Sequence, residues 1–199
     1  MSLIDMGIRE KRRIHKGSIT LTEAIVWFLL LMGVIIGILA ATRSAFSSND
    51  ANNEMDNIEF MVNKTRVLLK QGGIYDFTDS GTMTGTLIEY GGVPDTMNIT
   101  GDKSSGSATL QNTWGGAVTE APVADSNGSN SGFSITYNDV PQAACATLAG
   151  KLSSTGLVDS TSINGTSTDG AVSVSDAGSQ CTADSGSKGS NVLIFTSNT

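Results

Sequence analysis

Three side chains in this sequence have chemistry that depends on where they stand: Glu23, Cys145 and Cys181. Glu23 opens an uncharged run. Residues 24–41 read AIVWFLLLMGVIIGILAA, with no Asp, Glu, Lys or Arg. A carboxylate at the edge of such a run is costly unless it is solvated at an interface or paired. Position alone leaves both readings of Glu23 open. The two cysteines lie in the acidic body of the chain. In an exported body they would form one disulfide; in a reducing compartment they would stay free thiols. Neither belongs to a CxxC motif and no histidine cluster accompanies them, so no metal site is expected.

Catalytic groupings are scarce. The one histidine, His15, lies in the basic N-terminal stretch, which leaves no imidazole in the body to serve a serine or a cysteine. Carboxylates are scattered, and no spacing places two of them together. No glycine-rich loop of the phosphate-cradling kind follows an expected strand. The aspartates from Asp176 to Asp184 could meet a cation, but their spacing is not that of an EF-hand, and a solvated loop is the better account. Trp27 and Phe28 near the start of the uncharged run read as faces toward lipid or other helices, and Trp114 as packed at a turn. No enzyme activity and no cofactor are expected.

Charge divides the chain. The formal charge is −7 over 199 residues. Residues 1–17 hold Arg9, Lys11, Arg12, Arg13 and Lys16 against Asp5 and Glu10, a net of +3, so that −7 less +3 leaves −10 on the remainder. A body this acidic does not suit nucleic acid, which needs a basic face. Basic residues beside a run long enough to cross a bilayer fit the positive-inside rule. An ordinary secretory signal would have a shorter apolar core and a small-residue cleavage site behind it, and Thr42-Arg43-Ser44-Ala45-Phe46 is not such a site. A plain signal anchor accounts for charge and hydropathy equally well.

These features must be positioned by a few elements. From Ile19 to about Lys70 there is no proline, and the glycines are Gly33 and Gly37. Met55, Ile58, Met61, Val62, Thr65, Leu68 and Leu69 recur at three- and four-residue steps, with Asn52, Asn53, Glu54, Asp56, Asn57 and Lys64 in the gaps. The pattern predicts one helix of about 50 residues, near 75 Å long at ~1.5 Å per residue. Gln71-Gly72-Gly73 would end it with a glycine cap. Gly33 and Gly37 form a G-x-x-x-G that could bring membrane helices together or mark a locally melted point; both remain open. Beyond it the chain is rich in Gly, Ser, Thr, Asn and Asp. Strands are expected at Thr86–Tyr90, Ala117-Val118, Phe133–Tyr137, Ala171–Val174 and Asn191–Thr196, the last central to a sheet. Ser126–Gly132 reads as an exposed turn. Val140–Leu152 reads as a short helix with Asp139 as N-cap and Pro141 in the first turn. The rest of 153–190 reads as irregular.

Lys16-Gly17-Ser18-Ile19-Thr20-Leu21-Thr22-Glu23 and the run behind it resemble the class III leader of type IV prepilins. In that family a membrane-embedded aspartyl peptidase cuts after the glycine and methylates the new amino terminus. The fifth mature residue is a glutamate that pairs with a neighbouring subunit's amino terminus. Cutting after Gly17 makes Glu23 the sixth residue; cutting after Ser18 restores the spacing but puts serine where glycine is usual. Asn112-Thr113-Trp114-Gly115-Gly116 resembles the Asn-Pro-aromatic-Gly-Gly turn that leads into the sheet of type IVb pilins, with threonine for proline. Val140–Leu148 resembles the helix that bears the first cysteine of their C-terminal disulfide, and Cys181 matches the second. Within the class the resemblance is to PilS pilins of conjugative thin pili and enteric bacteria.

The resemblance implies an α+β fold, a long N-terminal helix packed on an antiparallel sheet with a disulfide-closed C-terminal region. Residues 1–17 would be a cleaved leader, 18–46 the hydrophobic membrane and polymerisation helix, 47–71 its amphipathic half, and 72–199 the globular head. Gly17 and Ser18 would be the processing site, Glu23 the assembly residue, and Cys145 with Cys181 the disulfide. Expected partners are other copies of the chain, a prepilin peptidase, the inner-membrane assembly machinery and the inner membrane before assembly. The filament would then stand outside a Gram-negative cell, serving adhesion, aggregation or conjugative contact. A minor pilin or pseudopilin, or a signal-anchored periplasmic module that never polymerises, are the alternatives.

Overall fold

The computed structural model of the protein describes residues 21–185 and 189–198; ahead of residue 49 the side chains described are those of Thr22, 25–30 and Met32. The expected leader 1–17, with His15, the expected Gly17–Ser18 processing site and the side chain of Glu23 therefore lie outside the described residues. The first helix, α1, spans Leu21–Leu68. By contact the chain divides into Met1–Thr42 and Arg43–Thr199. In the first unit the described apolar side chains, 25–30 and Met32, are 46 to 63% exposed. Among the described residues no helix is long and apolar enough to cross a membrane, and the uncharged run from 33 to 41 has side chains outside the description.

In the second unit the three- and four-residue stripe on α1 does what its period demands. Ile58, Met61, Val62, Thr65 and Leu69 are buried. The helix stops at Leu68, three residues short of the expected glycine cap. Gly72 and Gly73, both with positive φ (60° and 94°), instead form the corner of a small bridge between Gln71 and Ile74. Two successive left-handed residues are what a tight hairpin corner requires.

The second helix, α2 (Ser80–Glu89), stands where a strand was expected from Thr86–Tyr90. Asp79 caps it, accepting from the Thr82 backbone N at 2.9 Å. Met83, Leu87 and Ile88 are buried at helical spacing. Thr84 and Thr86 donate their hydroxyls to carbonyls four residues back, which gives β-branched residues a place in a helix. Gly85 is needed for packing: a Cβ there would fall 2.0 Å from the Gly106 carbonyl oxygen.

Seven antiparallel strands form one sheet: β1 (Asn98–Thr100), β2 (Thr109–Gln111), β3 (Ala117–Val123), β4 (Gly132–Val140), β5 (Ser160–Ile163), β6 (Thr166–Asp169) and β7 (Asn191–Ser197). Their order is β1-β2-β3-β4-β7-β5-β6, so the terminal strand is interior, between β4 and β5. The β5–β6 hairpin lies in the stretch expected to be irregular. It turns on Asn164-Gly165, with φ of 51° and 88°, the residue pair that such a corner favours. No strand forms at Ala171–Val174. Ser173 there caps a helix, α4 (Val174–Gln180), its hydroxyl accepting from the Asp176 N at 3.1 Å.

The expected helix after β4 is present as α3, Gln142–Ser153. Its N-cap is Pro141, not Asp139, which has φ 54° where the register of β4 slips against β7. The fold is thus α+β, with the N-terminal helix on an antiparallel sheet and a disulfide in the C-terminal region.

Candidate functional site

Polar side chains on the buried stripe of α1 hold the second unit together. Glu54 was expected in a polar gap, yet it is fully buried, as Asn57 nearly is. Its position follows from the same period: 54, 58, 61 and 65 share one face of the helix. One carboxylate oxygen, Oε1, accepts from the Thr113 backbone N at 2.6 Å. The other, Oε2, accepts from the Tyr137 hydroxyl on β4 at 3.1 Å and from Asn57 Nδ2 at 3.2 Å. Asn57 Oδ1 accepts in turn from the Thr96 hydroxyl at 2.8 Å. Burial and the nearby Glu54 charge push the Tyr137 phenol well above its ordinary range. Desolvating a carboxylate demands such partners, so helix, turn and sheet are fixed in one register.

The turn that receives Glu54 is itself built on one buried amide. Asn112 Oδ1 accepts from the N–H groups of Trp114 and Gly116, at 3.0 and 2.9 Å, and its Nδ2 donates to the Asn138 carbonyl at 2.8 Å. A Cβ on Gly116 would lie 1.9 Å from that carbonyl oxygen, so glycine alone fits. Trp114 packs half-buried against the core.

A second buried carboxylate joins α1 to β3. Glu120 points inward and is fully buried. Thr65 donates its hydroxyl to the carboxyl group, 2.8 Å from Oε1 and 2.9 Å from Oε2. Desolvation pushes the Glu120 carboxyl up to about 8, against an ordinary value of 4.5. Between those pH values the folded chain holds a proton that the unfolded chain has lost. The contribution of this group to stability is therefore full below pH 4.5 and is lost as pH rises toward 8. The expected loss is on the order of a few kcal/mol. Denaturation of the chain in mild detergent at a series of pH values should show it, and Glu120→Gln should flatten the slope. An equal slope in the variant would place the titration elsewhere.

The C-terminal region is clamped around α3. Cys145 and Cys181 form a disulfide with their Cα atoms 5.9 Å apart. Beside it Asp184 Oδ1 accepts from the Gln142 N at 2.7 Å. This carboxylate caps α3 from 42 residues away in place of the expected Asp139, and the positive end of the helix favours it. Gln142 Nε2 donates to the Cys181 carbonyl at 3.1 Å. Asn191, fully buried at the start of β7, finishes the clamp. Its Nδ2 donates to the carbonyls of Val140 and Thr182, both at 3.0 Å, while Oδ1 accepts from the Thr182 N at 2.7 Å and from Asn164 Nδ2 at 2.9 Å. Nothing in the sequence pattern singled out Glu120 or Asn191; an acid and an amide inside short strands were the available signs.

The buried carboxyl groups of Glu54 and Glu120 meet hydroxyls and amides. Among the described residues there is no group of three or more His, Cys, Asp or Glu that could hold a metal ion.

Comparison with known proteins agrees with this architecture. The family model described as PilS N terminal matches residues 48–198. A crystal structure of type IVb pilin from Salmonella typhi is 40% identical, with a TM-score of 0.65, over 74% of this chain and 99% of that one. An NMR structure of type IVb pilin (PilS) from Salmonella typhi is 38% identical, with a TM-score of 0.51, over 74% of this chain and 95% of that one. No curated protein matches.

Proposed function

The chain belongs to the PilS family of type IVb pilins, a structural and non-enzymatic family, and from that premise we propose that it is the major subunit of a type IVb pilus. The observation that carries the reading is a head 40% identical to a solved type IVb pilin, nearly the whole of which it covers.

Under this reading residues 1–17 are a leader that a prepilin peptidase removes at Gly17–Ser18, and the new amine is methylated. Residues 18–46 hold the subunit in the inner membrane and then pack against their counterparts in the filament. Residues 47–71 dock on the head, and 72–199 form it. Support for the second role comes from the apolar side chains 25–30, all exposed in the isolated chain. Apolar surface of that extent is covered in the working state. The inner-membrane assembly machinery would lift the subunit out, and exposed head loops would serve adhesion, aggregation or conjugative contact.

Shearing cells that express the chain tests the role. A major subunit dominates the released filaments. A trace amount there would make it a minor pilin, and a chain that stays in the membrane with its leader would make it an anchored module.

A further inference from the structure

Two Asn-Gly pairs occur in the described chain, Asn127-Gly128 and Asn164-Gly165, and all four residues are exposed. Asn-Gly is chemically the least protected of asparagine pairs, since glycine puts no Cβ in the way of its own nitrogen. The glycine N attacks the asparagine Cγ. A new N–Cγ bond closes a succinimide, the glycine N–H proton passes through water to Nδ2, the Cγ–Nδ2 bond breaks, and ammonia leaves. Water then opens either ring carbonyl to give aspartate or isoaspartate, with no oxidant or reductant. The step needs an asparagine side chain free to swing onto the backbone.

The structure separates the two pairs on that requirement. Asn164 is tethered at both ends of its amide. Oδ1 accepts from the Val192 N at 2.9 Å, and Nδ2 donates to the Gln180 carbonyl and to Asn191 Oδ1, each at 2.9 Å. Swinging Cγ toward Gly165 would break three bonds, one of them to the buried amide that completes the clamp. The Asn127 side chain makes no hydrogen bond to any described residue, and it lies in the exposed turn between β3 and β4. Its attacking neighbour is restrained only by Asp125: the Gly128 N donates to the Asp125 carbonyl at 3.0 Å, and the Asp125 carboxylate faces the same N–H. Solvent-exposed turn bonds of this kind open at little cost.

We propose that Asn127 is a site of spontaneous deamidation through a succinimide with Gly128, and that the fold protects Asn164 from the same reaction. The product sets a new carboxylate two residues from Asp125. The isoaspartate form also lengthens the backbone by a methylene between Cα of residue 127 and the Gly128 N, and so displaces the Gly128 N–H from the Asp125 carbonyl and the Ser129 N–H from Asp125 Oδ1, each met at 3.0 Å. Aged chains therefore differ from fresh ones in the charge and shape of one head loop, whether or not they assemble.

The test is peptide mass mapping of the full-length chain, held in mild detergent at mildly alkaline pH and sampled over weeks. The Asn127 peptide should gain the mass of an NH2-to-OH exchange and resolve into two products. The Asn164 peptide should change at least about tenfold more slowly in the folded chain, and at a similar rate once denaturant removes its tethers. Asn127→Gln, which would have to close a six-membered ring, should leave the loop peptide unchanged. Equal rates at both pairs in the folded chain would overturn the proposal, as would an unaltered Asn127 when the denatured control has reacted.

Discussion

Cys181→Ser is expected to cost the head about 4 kcal/mol, the chain-entropy value for opening a loop of this size. The closed loop runs 36 positions from Cys145 to Cys181 and contains most of α3, the β5–β6 hairpin and α4. It is not held by the disulfide alone. Val158, Ile163, Val172 and Ala177 are buried, and β5 pairs with β7 from Ser160↔Thr196 to Ile163↔Leu193. The sheet should therefore survive the substitution, while the α3–α4 end loosens. Without the bond, Cys181 no longer brings Asp184 to the N-terminus of α3, so the cap weakens too. A loss of that size lowers the melting temperature of a domain this large by roughly 10 °C. Calorimetry should find the drop, and amide exchange should rise first in 174–184. Under the proposed function the variant should be degraded in the periplasm of expressing cells and piliation lost. A variant that melts with the parent and pilates normally would show that β5–β7 pairing orders this region by itself.

The second large effect concerns Glu23→Ala. The substitution removes the one acid at the edge of the uncharged run. Extending the proposed function to this residue, we propose that the Glu23 carboxylate pairs with a neighbour's amino terminus in an apolar setting. Removing one partner of a buried pair costs about 3–5 kcal/mol, because the other charge is left unpaired. Each ~1.4 kcal/mol is a factor of ten in association, so subunit addition weakens by about a hundredfold or more. The variant should insert into the membrane and fold its head as the parent does, yet give few filaments by electron microscopy. Filaments in normal number would remove Glu23 from any role in register.

What the sequence disclosed, and what it did not, follows from range. The stripe on α1, the strand at Phe133–Tyr137 and the interior last strand are written in short periodic runs, and they stand in the structure. Thr86-Leu87-Ile88 looks like strand when taken in five residues, yet it closes the α2 helix. The cap at Asp79 and the spacing of Met83 to Leu87 decide otherwise over ten. The β5–β6 hairpin was hidden in a Ser/Thr/Gly-rich stretch, although Asn164-Gly165 is its corner. Glu54 was placed with polar neighbours despite its helical phase, since a carboxylate in the core makes sense once Thr113 and Tyr137 are seen to meet it. The Asp184 cap on α3 was not legible at all, because it depends on a contact made 42 residues away.

The measurement closest to the central claim is the intact mass of the subunit recovered from sheared surface filaments. The account predicts a chain that has lost residues 1–17 and begins at Ser18, with the mass of the 145–181 disulfide. A start at Ile19 would move the cut by one residue and leave the pilin reading standing. A surface fraction without this chain, together with a membrane form that still begins at Met1, would contradict it.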